Sequence, residues 1–368
     1  MNLAAYAADP TKTQGRAFYE PPSLIRNDYQ RDRDRIIHSA SFRRLQYKTQ
    51  VFVNHEGDMF RSRLTHSLEV AQIARGVSRT LNCHEDLSEA IALAHDLGHT
   101  PFGHAGQDAL NQCMKSHGGF EHNLQSLRVV DQLEKRYLGF DGLNLTFEVR
   151  EGILKRCSRN KAFGMGELGK RFIEKKQPSL EAQIVNIADE IAYLHHDIDD
   201  GFRSGILTFE VLEELELFKC LSNQISTDCK FTSKEQFLNE VLRKMMNLII
   251  YDFGEETKKR LKRFNPRSSD EVRNLPKIAK FSESIEKHVL EIRTFSKERL
   301  YKHKRIKNMG EEAASVIKRL FKFFLNQFDM VPSSFKTSSN ASKERIISDY
   351  IAGMTDRFAL QLINDLKI

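Results

Sequence analysis

Ser88-Glu89-Ala90-Ile91-Ala92-Leu93-Ala94-His95-Asp96-Leu97-Gly98-His99-Thr100-Pro101 decides how the rest of the chain is read. A run of strong helix formers, with Ser88 as a candidate N-cap, leads into a His-Asp pair, and Gly98 with Pro101 ends the helix just beyond it. The pair therefore stands where a helix meets a loop. An imidazole beside a carboxylate there suits a divalent metal. His66 lies upstream in Arg63-Leu64-Thr65-His66-Ser67 and Asp189 downstream in Asn186-Ile187-Ala188-Asp189-Glu190-Ile191, each inside an apolar-periodic stretch. Two histidines and two carboxylates give nitrogen-oxygen ligation suited to manganese, iron, cobalt, nickel or zinc, and less characteristic of magnesium. Four protein ligands leave coordination positions open, so metal-assisted phosphoester hydrolysis follows from the constellation.

Outward from this centre the pattern is helical almost everywhere, and the chain reads as all-α. Residues 1–27 carry Pro10, Gly15, Pro21 and Pro22 without periodicity and read as an extended arm, of a kind expected to pack on a neighbouring subunit. From Asp28 to about Leu81 the pattern turns helical, charge-rich over Arg31 to Leu45. Leu64, Leu68, Ala71, Ile73 and Ala74 then form an apolar stripe that places His66 near its edge. After the glycine- and histidine-rich loop His99 to Gln107, helix is expected to resume at Asp108 to Met114. Residues 139–147 read as a turn-rich connector, and Glu181 to Asp200 as a helix with Ile184, Ile187, Ala188 and Ile191 inward, which sets Asp189 beside the buried face. Beyond Thr208 the chain is helical and increasingly basic, broken at Phe264 to Ser269 and again at Val331 to Ser342, with one last helix from about Glu344 to Leu366. The division expected is an arm at 1–27, a catalytic domain at 28–207, and a helical C-terminal lobe at 208–368 that completes the pocket and makes oligomer contacts.

At 368 residues the chain exceeds a typical single core, so a satellite lobe or a second packed domain is expected. The formal charge of +7 favours anionic partners without choosing among nucleotides, nucleic acid and membrane surface. Cys83, Cys113, Cys157, Cys220 and Cys229 are scattered and form no Cys-x-x-Cys pair, which supports neither a zinc knuckle nor a disulfide framework and fits a reducing cytoplasm. No signal segment or membrane span is legible, so a cytoplasmic protein without membrane contact is expected.

Further residues with the right chemistry cluster near the pair. His104 follows it by eight residues, past the helix break, where it can reach a substrate; an imidazole is suited to protonating a leaving oxygen or taking a proton from attacking water. His122, in Phe120-Glu121-His122-Asn123, is a second candidate. His99 and His117 read as loop or surface histidines. Arg63, three residues before His66, can direct a guanidinium at phosphate, and Arg61, Arg43 and Arg44 could join it.

Longer stretches carry a resemblance. Phe42-Arg43-Arg44-Leu45-Gln46-Tyr47-Lys48-Thr49-Gln50-Val51-Phe52, Arg61 to Arg75, His95 to Gly106, Phe120 to Asn123, Asn186 to Asp200 and Asp349 to Arg357 closely resemble bacterial deoxyguanosine triphosphate triphosphohydrolase-like proteins of the HD phosphohydrolase superfamily. The resemblance runs from about Tyr29 to the C-terminus and is weakest between about 208 and 340. It implies an all-helical HD fold with a helical C-terminal lobe, hydrolysing a deoxynucleoside triphosphate (dNTP) at the α-phosphorus to deoxynucleoside and intact triphosphate. It implies that His66, His95, Asp96 and Asp189 hold a divalent ion (manganese favoured among Mn, Mg, Fe, Co, Ni and Zn), that His104 is the catalytic histidine with His122 beside it, and that Arg63 contacts phosphate. Gln50, Tyr193 and Asp197 match positions that surround the sugar. A homo-oligomer is implied, with single-stranded DNA or a nucleotide as possible effector. One position departs: Gln107 stands where relatives place an acidic residue three after the catalytic histidine. A glutamine carbonyl accepts an imidazole N–H bond but does not stabilise an imidazolium as a carboxylate does.

Two other readings compete. Another hydrolase of the superfamily is disfavoured, because the Gly-Tyr-Pro signature of the cyclic-dinucleotide type is absent and His99 and Thr100 stand where the alarmone type carries two acids. A nucleotide or nucleic-acid sensor with weak catalysis is motivated by Gln107 and the basic C-terminal half.

Overall fold

The computed structural model describes residues 3–52, 60–228, 233–336 and 341–368; Cys229 lies outside them. Those residues form helices joined by short turns, with two isolated backbone bridges, Thr49 with Ser62 and Lys135 with Gly142, and no strand. The fold is all-α.

In chain order the first helices are α1 (Asp28–Ile37), α2 (Ala40–Arg44), α3 (Arg63–Thr80), α4 (Glu85–Ala94), α5 (Gly103–Cys113), α6 (His122–Arg128), α7 (Phe147–Ile153), α8 (Arg159–Ala162), α9 (Gly166–Ile173) and α10 (Leu180–Arg203). Then come α11 (Phe209–Leu212), α12 (Glu216–Asp228), α13 (Lys234–Phe264), α14 (Ser269–Asn274), α15 (Glu283–Phe295), α16 (Lys304–Asn326), α17 (Lys343–Ala352) and α18 (Asp356–Leu366). Local chemistry sets many of the starts. Asn27 and Gln30 close a reciprocal capping box on α1, and Ser62, Ser179 and Thr355 each accept a backbone N–H at the starts of α3, α10 and α18.

Helices α3, α4 and α10 pack on one another, with α1 and α7 against α4. Ile91, Leu93, Val70, Ile187 and Ile191 are among the residues buried between them. Each such side chain contributes roughly 1.5–3 kcal/mol of transfer free energy. This packing is why three sequence segments meet at one point.

The apolar clusters divide the chain differently from the boundary at 207. One cluster runs from Ala8 to Phe295 and takes in α11 to α15, while a second joins α5, from the first half of the chain, to α16, α17 and α18. The arm packs on its own chain. Ala7 and Ala8 are buried, Tyr6 Oη donates to Leu81 O at 2.8 Å, Ala8 N donates to Glu181 at 2.9 Å, and Arg16 pairs with the buried Asp32.

Four local expectations are corrected. Ser88 is not a cap: α4 starts at Glu85, and Ser88 is buried with its Oγ 2.7 Å from Ser78 Oγ. His66 lies inside the buried face of α3, not at its edge, because Leu68 points outward and Val70 and Ile73 inward. Helix resumes at Gly103 instead of Asp108, placing His104 and Gln107 on the first turns of α5. The last helix is two, α17 and α18, broken at Gly353 to Thr355, where Thr355 caps the second and Lys48 Nζ takes the carbonyl of Ala352 at 2.7 Å.

Candidate active site

His95 is the C-cap residue of α4, and its Nδ1 donates to Ala92 O at 2.6 Å. That bond assigns the remaining lone pair to Nε2, which is buried and has no hydrogen-bond partner. The Nε2 lies 3.4 Å from Asp96 Oδ1 and 3.5 Å from Asp189 Oδ1, and His66 Nε2 lies 2.9 Å from that same Asp189 oxygen. Ligand atoms of His66, His95 and Asp96 all fall within 4.8 Å of one another. Adjacent ligands of an octahedral ion with bonds near 2.1 Å are themselves about 3 Å apart, so the donor set fits a divalent metal. Burial would raise the Asp96 carboxyl, but His95, Arg63, His99 and His66 around it hold it well below the usual carboxylate range. Asp189 is likewise held low, by Lys155 and His95 against its burial.

The turn that follows is braced from behind. Gly98 has no room for a side chain: a Cβ there would stand 2.1 Å from the backbone N of Ser126. Ser126 Oγ donates to His95 O and accepts from Gly98 N, both at 2.9 Å. Phe102 then takes a left-handed φ of 60° so that α5 can begin at Gly103. Its N–H is held by Asp356 at 2.9 Å, and Asp356 also accepts the Thr49 N–H at 2.9 Å and its hydroxyl. Lys48 Nζ reaches His99 O at 2.5 Å. The Asp349 to Arg357 stretch thus staples the segment carrying Gln50 to the turn carrying His99 and Phe102.

Arg63 is buried at the start of α3. Its Nη1 pairs with Asp96 Oδ2 at 2.5 Å, while Nε and Nη2 have no partner. The His104 ring is exposed, 6.3 Å centre to centre from Tyr193 and 5.4 Å from His99. Surrounding protein and then Arg63 push its pKa down. His122 stacks on His99 at 4.9 Å, and burial lowers it to about 4. The Gln50 side chain is buried with both amide atoms unpartnered, and the backbone carbonyl of Gln50 borders Gly103. Tyr193 and Asp197, on α10, meet through one hydroxyl: Tyr301 Oη lies 2.6 Å from Asp197 Oδ1 and 2.8 Å from Tyr193 Oη. Burial raises the Asp197 carboxyl to about 8.

Several placements differ from the sequence reading. Gln107 Oε1 accepts from His122 Nδ1 at 2.6 Å, not from His104. His99 does lie in the loop between α4 and α5, but it is fully buried there among the histidines, whereas His117 is half-exposed beside Glu344. Arg61 is committed to Glu69, Asp199 and Asp200, and Arg43 to His38 O, so neither joins Arg63 at a phosphate. Tyr301 and Lys155 were invisible in sequence. Lys155 Nζ touches Asp189 Oδ2 at 2.5 Å from the turn after α7, and Tyr301 ends a π-helical turn, Ser296–Tyr301. Such a turn, a frequent companion of functional sites, has no sequence signature.

An HD domain is matched by residues 63–200, a span that begins at Arg63 and encloses all four candidate ligands, and a phosphohydrolase-associated domain by residues 279–365. Over 360 residues, covering 98% of this chain and 93% of the relative, the sequence is 54% identical to a deoxyguanosinetriphosphate triphosphohydrolase-like protein of Ralstonia pickettii. The chain belongs to the deoxyguanosinetriphosphate triphosphohydrolase-like family. Relatives carrying the same name in Bordetella pertussis (52% over 363 residues, 98% of this chain and 94% of the relative) and Thiobacillus denitrificans (52% over 360 residues, 98% and 96%) agree. Membership makes it an HD-type phosphohydrolase, and the clustered His66, His95 and Asp96 are groups that could hold the family's divalent metal. No helix among the described residues is long and apolar enough to cross a membrane.

Proposed function

We propose that the chain hydrolyses deoxynucleoside triphosphates to deoxynucleoside and inorganic triphosphate, with a divalent ion, manganese favoured, at His66, His95, Asp96 and Asp189. The observation that carries this reading is the set of buried, unpartnered polar atoms on three elements that meet near Asp96 and Gly103: His95 Nε2, Arg63 Nε and Nη2, and the Gln50 amide. Buried polar groups are nearly always satisfied, and these are the groups a metal, a polyphosphate and a sugar hydroxyl would satisfy.

When bound, the ion supplies Lewis acidity and charge neutralisation at the phosphoryl group. Arg63 offers two N–H donors to phosphate oxygens while its third nitrogen stays on Asp96. His104, exposed and without a hydrogen bond among the described residues, is free to approach the reacting atoms and move a proton at the leaving oxygen. His122, with its Nδ1 hydrogen given to Gln107, presents a neutral Nε2 beside it. Gln50, Tyr193 and Asp197 would hold the deoxyribose. The proposal extends to a cytoplasmic homo-oligomer in which a nucleotide or single-stranded DNA acts as effector.

The test is product analysis. Metal-loaded protein is incubated with each dNTP, singly and mixed, and products are resolved by ion-pair chromatography, with His104→Ala and EDTA-treated protein as controls. Deoxynucleoside plus triphosphate, lost in both controls, is expected. Absence of turnover from protein with metal demonstrably bound would reject the reading in favour of a sensor.

A further inference from the structure

His66 is held from behind by a second imidazole. Its Nδ1 lies 3.2 Å from Nδ1 of His196, a fully buried residue of α10, and His196 Nε2 is hydrogen-bonded to Glu69 Oε2. Glu69 stands on α3 one turn after His66. Its other oxygen is 3.3 Å from Arg61 Nε, and Arg61 Nη1 in turn reaches Asp199 and Asp200 at 2.6 and 2.9 Å. The carboxylate is therefore fixed from the outside.

The direction of these bonds follows from proton counting. A neutral imidazole has one donor and one acceptor nitrogen, and an ionised carboxylate only accepts. His196 must then donate through Nε2 to Glu69 and accept through Nδ1, so the hydrogen between the two rings belongs to His66 Nδ1. That leaves His66 Nε2 as a bare lone pair facing Asp189 Oδ1 at 2.9 Å. Two acceptors meet at that distance when a cation, either a proton or a metal ion, lies between them.

We propose that Glu69 and His196 are positioning residues: a carboxylate-imidazole relay that fixes the tautomer and ring orientation of His66 for the divalent ion. The inference rests on the reading of His66 as a metal ligand. It also decides a second question. Donor atoms of Glu69, His195 and His196 lie within 4.8 Å of one another and superficially form another metal site. With both His196 nitrogens engaged, His196 has no lone pair to give to a metal there, although His195 Nδ1 is unpartnered. Outer partners of this kind typically change metal affinity by 10- to 100-fold.

The experiment measures Mn²⁺ affinity by calorimetry and the visible spectrum of the Co²⁺-loaded protein, with folding checked by circular dichroism in EDTA. The proteins are wild type, His66→Ala, Glu69→Gln, His196→Phe, His196→Asn and the Glu69→Gln/His196→Phe double variant. Glu69 is half-exposed, so its variant tests the relay without disturbing the core. The relay predicts roughly 10-fold weaker binding for Glu69→Gln and roughly 100-fold for His196→Phe, each with an altered Co²⁺ spectrum. His196→Asn, which keeps an acceptor for His66, recovers part of the loss. The double variant is no worse than His196→Phe, because Glu69 acts only through His196. Unchanged affinity and spectrum in Glu69→Gln and His196→Asn, with His66→Ala unable to bind, would overturn the relay and leave the metal site standing. Wild type binding no better than His66→Ala would instead remove the metal site and the relay with it.

Discussion

Gln107 Oε1 lies 2.6 Å from Nδ1 of His122, while the ring of His104, three residues earlier on the same helix, makes no hydrogen bond among the described residues. The two histidines are thus unequal: His122 is oriented and His104 is free. A neutral amide carbonyl orients His122 without stabilising its charged form. Gln107→Glu should therefore raise the His122 pKa from about 4 by roughly 1–3 units, readable in a histidine NMR titration. Hydrolysis below pH 7 should quicken, because a larger fraction of His122 then carries a proton for the leaving oxygen. A shifted pKa with an unchanged rate would remove His122 from proton transfer.

Tyr301→Phe removes the hydroxyl joining Tyr193 to Asp197 and leaves the ring in place. If these groups hold the sugar, KM for the preferred dNTP should rise about 5-fold with kcat little changed, the effect of losing one neutral hydrogen bond worth about 1 kcal/mol. Steady-state kinetics decides this. A fall in kcat alone would place Tyr301 closer to the chemistry.

Burial raises the Asp197 carboxyl to about 8 in the folded protein, above the ordinary value of 3.8 that the unfolded chain restores. Between those values the folded state holds a proton that the unfolded state has lost. Its contribution to stability is fully present below pH 3.8 and is lost as pH rises toward 8, with a slope of at most ~1.4 kcal/mol per pH unit. Asp197→Asn should flatten the urea-derived stability between pH 5 and 8 relative to wild type. Parallel curves would show that Asp197 is not protonated in the fold.

Asp356 accepts from Thr49 N, Thr49 Oγ1 and Phe102 N, and so holds the Gln50 segment against the left-handed turn that starts α5. Asp356→Asn turns one acceptor oxygen into a donor facing N–H or O–H groups. A loss of about 2 kcal/mol is expected, seen by calorimetry as a Tm lower by several degrees, together with reduced turnover from displacement of His104. Full activity at reduced Tm would confine the clamp to stability.

Legibility differed from residue to residue. His66, His95, Asp96 and Asp189 were readable because their His…His-Asp…Asp order resembles the superfamily's pattern and each sits in or beside a helix-like stretch, and the structure brings their donor atoms together. Arg63 was readable from its spacing to His66. Tyr301, Lys155, His196 and Glu69 were not singled out, since each reaches the site through packing of helices distant in sequence. The loop position of His99 was readable but its burial was not, for the same reason: nothing within its own turn announces that α5, α6 and Lys48 close over it.

The sequence by itself determined the all-helical class and a helix end at the His-Asp pair, because glycine and proline effects and 3.6-residue periodicity act over a few neighbouring positions, while the candidate ligands were named by the His…His-Asp…Asp pattern that the chain shares with the superfamily it resembles. Only the tertiary structure decided which histidine Gln107 serves, where α5 begins, how the C-terminal helices divide and which side chains stand behind His66. Those outcomes depend on which hydrogen-bond donors and acceptors remain unsatisfied once helices from both ends of the chain have packed, and in a buried site each must find its partner there.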